Sequence, residues 1–511
     1  MQKHICVCFV VLLTLFSCTD GDVQPYQDIT PEALSVMKVS EYELDYDDIR
    51  GQIRQLIKSE SSSSVAVRYV RNYYSSDGSF IWIDRHGMDS RADTLLAFIS
   101  KVDEMGFKKE LFRVSQIEED LNRVRKLDFD KSSNSINKVF ARLEYNLSRA
   151  FIRYSTGQNF GFVNPSVILN RDPDNNGESA RMVYKYQFDI NIEHPTDSFY
   201  KKTLMVMRGG DMGGFLREIQ PKRKLYNQLQ DRLNSGTLSE KEWFTTLCNM
   251  ERCRWNEKIV EEDCEKYVLV NIPSFMLKAV DGDSVLTMRV CCGEPRTKTP
   301  LLTSEIVRME LNPMWNVPYS IAKGIAGSTG YMVRNNMFIY DKKKGRLPVS
   351  EASRELILSG QQRIVQEGGP GNSLGRIVFR FENNFSVYLH HTSSPWAFQS
   401  ANRAISHGCV RVEKPYELAV FLMKEKDMNL AGKIKYSMTY SMKKDSEGNL
   451  VKSSVKKDSL VRSVKVEPNI PVFLTYYTLY PDNSGKLVEY RDVYGYDRRI
   501  IEQLKPYAKR R

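Results

Sequence analysis

The sequence predicts an α+β protein, with a mainly helical first part and a β-rich second part of mixed-sheet or sandwich type. Three observations predict it. Apolar residues recur at helical spacing ahead of about residue 262, strand-like runs bounded by turn residues follow, and 511 residues exceed what one hydrophobic core usually serves.

The first element is an address. Lys3 precedes an apolar run from Cys6 to Phe16 that is too short to span a bilayer. Leu15-Phe16-Ser17-Cys18 resembles the bacterial lipoprotein signal, with Phe16 looser than the commonest pattern. On that reading residues 1–17 are a signal peptide and Cys18 is the lipidated first residue. A plain secretory signal cut nearby is the alternative. Both export the chain, so the expectation is a periplasmic, membrane-anchored lipoprotein with no nucleic-acid partner. The net charge of +11, spread along the chain, then serves other polyanions.

After a polar linker at 18–45, helices are expected through 46–261. Ile49, Ile53, Leu56 and Ile57 fall on one helical face, as do Phe140, Leu143, Leu147 and Phe151. Ser115 with Glu118 fits a capping box. DPDNNG at 172–177 starts like a calcium loop, but Val183 occupies the position of the bidentate Glu, so it reads as a solvated turn. Strands are expected in KYVLVNIP, VLTMRVCCG, RIVFRF and FSVYLHH, with a turn at 382–384 and a helix opening at Pro415. A polar, glycine-containing segment at about 322–362 reads as an inserted lid or a surface excursion. The β-rich domain spans 262–438, and 439–511 gives a hairpin turning at DNSG and a last helix from about Asp497.

The chemistry concentrates near Cys409. His390, His391 and His407, three of the six histidines, lie within twenty residues of it. A thiol nucleophile needs a base, and the base needs a partner that fixes its tautomer. If FSVYLHH and the segment after Cys409 are adjacent strands, Tyr388, His390, Cys409 and Arg411 share one face. Backbone N–H groups of Gly408 and Cys409 are candidates for an oxyanion hole. The alternative is a buried structural Cys near satisfied histidines. No paired cysteine spacing of the structural-zinc type occurs, and neither a metal nor a cofactor is expected. A disulfide among Cys248, Cys253 and Cys264 is compatible with export, and Cys291 and Cys292 read as buried thiols.

SHGCVR at 406–411, together with YLHHT at 388–392, resembles the active-site signature of the L,D-transpeptidases, the cysteine transpeptidases of peptidoglycan. EKYVLVNIPSFML at 265–277, NPMWNVPYSIA at 312–322, GGPGNSLG at 368–375 and the run from Val378 to Leu422 extend the resemblance. FIWID at 80–84 and LSRAFIRYSTGQNFGFVNP at 147–165 resemble the helical scaffold domain of the large Gram-negative subfamily. The resemblance implies Cys409 as nucleophile, His390 as base, the backbone carbonyl of His391 as third member, and Gly408 in the oxyanion region. It implies that Tyr388, Arg411, His407 and Ser406 lie against the substrate, a peptidoglycan stem peptide, and that carbapenems acylate the thiol. His391 stands where the subfamily usually has Asp, and Gly368 where it usually has Pro. The short stretch between Tyr226 and Met250 leaves no room for the peptidoglycan-binding module inserted in some relatives. The expected reaction is acyl transfer from a tetrapeptide stem to a neighbouring amine. A hydrolase on the same site and a non-catalytic wall-binding lipoprotein are the alternatives. S-x-x-K tetrads such as Ser320 to Lys323 lack the K-T-G or K-S-G of a serine D,D-transpeptidase.

Overall fold

Apolar spacing does produce helices in the first part of the chain. A computed structural model describes residues 44–509 except 61–63, 77, 85–86, 174–181, 425–426, 441–442, 445–449 and 452–455. Cys18 and most of DPDNNG therefore lie outside the described residues. The chain divides into two compact units. One comprises residues up to Val102, Lys108–Ser155 and Asp197–Glu218, and the other comprises Asp103–Phe107, Thr156–Thr196 and the residues from Ile219 onward.

In the first unit, helix Tyr46–Ser59 buries Ile49, Ile53 and Ile57, and helix Ile136–Phe160 fully buries Phe140, Leu143, Leu147 and Phe151. A carboxylate sits in this core. Glu144 accepts hydrogen bonds from Ile81 N (2.5 Å), Trp82 N (2.9 Å) and the Tyr74 hydroxyl (2.7 Å), while Ser148 takes Trp82 Nε1 at 2.9 Å. The expected capping box at Ser115 does not form. Helix Val114–Lys126 starts one residue earlier, behind Arg113 in a left-handed conformation (φ 55°), so Ser115 lies inside its first turn. The capping box occurs instead at Ser239 and Glu242, ahead of helix Glu240–Arg254.

The second unit is built on a closed sheet. Its strands are β1 (Lys266–Asn271), β2 (Met276–Asp281), β3 (Ser284–Gly293), β4 (Leu301–Leu311), β5 (Ile377–Phe381), β6 (Leu389–His390), β7 (Val410–Val412) and β8 (Ser463–Thr475). The order is β5-β6-β7-β3-β2-β1-β8-β4, and β4 pairs back onto β5 to close the ring. Within this ring β6 with β7 and β8 with β1 run parallel and the other pairs are antiparallel; two short strands, Phe188–Asp189 on β4 and Ala404–Ser406 on β3, pair parallel and bring the sheet to ten. Ile306, Met309, Phe379 and Phe473 fill its interior with no exposure. Closure removes the free edges that an open sheet would leave unpaired. The architecture is thus α+β, helical first and β-rich after.

Three sequence expectations shift. FSVYLHH is a strand only at Leu389–His390, because Ser386 is left-handed (φ 55°) and ends the ladder. IPVFLTYYTLYP breaks in two: its first half belongs to β8, and the hairpin at Asp482–Gly485 joins Leu479–Pro481 to Leu487–Glu489. The six described cysteines, Cys248, Cys253 and Cys264 among them, are free thiols.

The segment read as a lid carries its own core. A four-stranded sheet of Trp315–Asn316, Gln362–Gln366, Met337–Asp341 and Gly345–Leu347 packs with short helices around Met332, Ile339, Ile357 and Ile364. Its exit is tight. A Cβ on Gly368 would stand 2.1 Å from Asn312 O, which explains glycine there instead of proline or any larger residue.

Candidate active site

A four-bond side-chain clamp begins the site. Asn383 Oδ1 accepts from Phe385 N (3.0 Å) and Val387 N (3.1 Å), and its Nδ2 donates to Phe381 O (3.0 Å) and Val387 O (2.8 Å). Asn side chains suit such turns because they mimic a backbone peptide. The turn returns the chain along β5, setting Val378 opposite His390. Beyond it β6 lies parallel to β7, with Leu389 opposite Val410 and His390 opposite Arg411. Val410 N donates to Tyr388 O at 3.1 Å, which continues that register back to Tyr388 and Cys409. Side chains two apart share a face, so Tyr388, His390, Cys409 and Arg411 line one side of this pair, as the sequence suggested.

His390 is buried, at 4% exposure, and its Nδ1 lies 2.5 Å from His391 O. A carbonyl only accepts, so Nδ1 carries the proton and Nε2 is left with its lone pair. Burial, reinforced by the Arg411 cation, lowers the ring to about 4. Burial pushes the Cys409 thiol up, against hydrogen bonds from the Tyr388 backbone and hydroxyl and against the Arg380 and Arg411 cations, which pull it down. Both groups are therefore neutral near pH 7. The sulfur lies 3.9 Å from Ser386 O, and no hydrogen bond joins it to a His390 ring nitrogen among the described residues. Catalytic contacts are often long before substrate arrives.

The turn before Cys409 is held from inside. Gly408 adopts φ 114°, open to glycine and strained for other residues. Ser406 Oγ donates to Cys409 O at 2.5 Å and accepts from Gly408 N at 3.2 Å. This corrects two expectations. Ser406 is 2% exposed with its hydroxyl engaged in the turn, so it braces Cys409 and is closed off from a ligand, and the Gly408 N–H is already occupied. Among the described residues the Cys409 N–H has no protein partner, which leaves it available as an oxyanion donor. Thr299 Oγ1 donates to Gly408 O at 2.8 Å and accepts from Gly293 N at 2.8 Å, tying the turn to β3.

The two other histidines separate. His391 Nδ1 accepts Arg376 N at 3.0 Å, so its ring fastens the turn that leads into β5 and is not incidental. His407 is exposed, and among the described residues its ring makes no hydrogen bond. Arg411 is half-buried and enters no ion pair among the described residues, leaving its charge free for an anionic group. No three His, Cys, Asp or Glu side chains stand together as a metal site among the described residues. Sequence reasoning passed over Asn383, Thr299 and Arg380. Asn383, in a glycine-free turn between strands, carried a readable signal; the other two act only through tertiary contacts.

Residues 265–434 match the L,D-transpeptidase catalytic domain, and residues 68–233 match the scaffold domain. A Haemophilus influenzae protein named "Putative L,D-transpeptidase" is 28% identical over 317 residues, and the match spans 60% of this chain and 60% of that protein. Two solved structures also overlap it in part. The "L,D-transpeptidase from Mycobacterium smegmatis" is 16% identical over 31% of this chain and 53% of its own, with a TM-score of 0.18. L,D-transpeptidase 3 from Mycobacterium tuberculosis is 14% identical over 29% of this chain and 52% of its own, with a TM-score of 0.16. Overlaps that small support no fold assignment, which rests on the domain matches. By those matches the chain carries an L,D-transpeptidase catalytic domain at 265–434, preceded by a scaffold domain at 68–233.

Proposed function

We propose that the protein cross-links peptidoglycan by acyl transfer through Cys409. The observation that carries this is the shared face of Cys409 and His390, with the imidazole tautomer fixed by His391 O. Sγ attacks the carbonyl between the third and fourth residues of a tetrapeptide stem, and its proton passes to His390 Nε2. The tetrahedral oxyanion meets the Cys409 N–H. Collapse breaks the peptide bond, the leaving D-Ala amine takes the proton from His390, and a thioester remains. An amine of a neighbouring stem then attacks, gives its proton to His390, and releases Cys409, which recovers that proton. Because thiol and imidazole both start neutral, proton transfer accompanies attack and no standing thiolate–imidazolium pair is needed. Arg411 offers its unpaired cation to the stem carboxylate.

Incubation with purified tetrapeptide muropeptides, followed by mass spectrometry, tests the reading. Dimers joined between third residues with loss of D-Ala support it, and Cys409→Ala should make none. Tripeptide alone would mean a hydrolase, and unaltered substrate would overturn both. We further propose that the chain works in the periplasm, held to a membrane by lipid on Cys18, on the strength of its leader. Palmitate incorporation that survives Cys18→Ala would refute the anchor.

A further inference from the structure

A charged chain of contacts stands behind the nucleophile, outside every role assigned so far. Glu310 on β4 receives Arg380 Nε at 3.0 Å and a second Arg380 nitrogen at 2.8 Å, and its other oxygen takes Arg308 at 3.0 Å. Arg308 is the cross-strand partner of Arg380, so one carboxylate holds two arginines in register. The Arg380 guanidinium lies 4.5 Å from the centre of the Tyr388 ring. Tyr388 in turn stands beside Cys409 across the β6–β7 pair.

We propose that Arg380 is a positioning residue: anchored by Glu310, it holds and polarises Tyr388 so that the tyrosine hydroxyl stabilises the developing negative charge on the Cys409 sulfur. A cation over an aromatic face draws density from the ring and strengthens its O–H as a donor. Burial raises the Tyr388 hydroxyl and the Arg380 cation pulls it back down, consistent with the guanidinium over the ring. The other groups on the face of the sulfur are His390 on β6 and Arg411 on β7; Cys291 on β3 lies opposite Arg411, and His407, in the turn before Cys409, is exposed. Arg380 and Arg411 both act on the sulfur directly by charge, and of the two Arg380 also reaches it through Tyr388. The inference rests on Cys409 as nucleophile, and it makes ionisation of that thiol depend on a residue far from it in sequence.

The test reads thiol ionisation directly, without turnover. The intact protein is alkylated with iodoacetamide across pH, and the Cys409 peptide is quantified by mass spectrometry. Arg380→Met is expected to raise the midpoint by about one pH unit, hence to slow labelling about tenfold at pH 7, with Arg380→Lys recovering part. Tyr388→Phe should do the same, and the double variant should fall clearly short of the sum of the two, because Arg380 acts largely through the hydroxyl that Tyr388→Phe removes, with only its direct charge effect left over. An unchanged midpoint in Arg380→Met overturns the proposal, and so does full additivity in the double variant. Cys291 and Cys292, buried in the native fold, must stay unlabelled. Should Arg380→Met fail that check, Glu310→Gln carries the test with a smaller rise expected and no rise overturning it. If the midpoints shift as described while the wild type forms no acyl-enzyme with muropeptides, the nucleophile reading fails and the tuning of the thiol stands.

Discussion

His390 and His407 sit within reach of the same sulfur by sequence, yet they stand in opposite environments. One is buried with its tautomer fixed by a carbonyl; the other is exposed. His390→Ala should abolish acylation of Cys409, and His407→Ala should slow it only modestly, as followed by adduct formation with a carbapenem on the intact protein. The pH profile tests His390 again. A base lowered to about 4 stays neutral down to that pH, so acylation should persist to about pH 5. An acid limb at 6.5 would sink the assignment. Cys409, His390 and the carbonyl of His391 were legible because a short motif holds them. The engaged Gly408 N–H, the bracing role of Ser406 and the ring of His391 were not, since each depends on a partner that only the folded turn supplies.

The turn before Cys409 behaves as one element whose hydroxyl clamp sets where the sulfur sits. Ser406→Ala removes both clamp bonds but touches no substrate, so the acylation rate should fall about tenfold with KM little changed. A change confined to KM would return Ser406 to the substrate side. Elements were legible where one apolar period repeats without interruption, not by length alone: eleven-residue β4 went unread and thirteen-residue β8 was read only as an arm of a hairpin. Helix Ile136–Phe160 repeats its apolar face over many turns, and β3 is ten residues long. The sheet inside 315–366 went unread because its buried residues, such as Met332, Ile339 and Ile364, are scattered among short strands and short helices. No window there holds enough of one period to register.

At the scale of the molecule buried titratable groups of opposite sense occur, and the second unit holds both, since burial raises Glu257 there to about 7 as well. Burial raises Glu144 in the first unit to about 7, so its contribution is full below the unfolded value near 4.5 and is lost as pH rises through 7. His390 in the second unit is lowered, so its contribution is full above about 6.5 and is lost as pH falls toward 4. Each swing is worth about 3 kcal/mol. Hydrogen exchange resolved by peptide should show the segments around Glu144 loosening as pH rises and those around His390 as it falls; parallel behaviour of these two segments would contradict both. Glu144→Ala should cost about 3 kcal/mol in urea unfolding, because it orphans the N–H groups of Ile81 and Trp82.

The closed sheet has a consequence in time. β8 lies between β1 and β4, and Thr475 Oγ1 reaches Val270 O, 205 residues back along the chain. Until that strand is delivered, β1 and β4 both lack a neighbour and the ring stays open. A chain made from its N-terminus therefore has Cys409 in hand before the ring can close, and the β6–β7 pair that carries it stands in an incomplete sheet until residues 463–475 arrive.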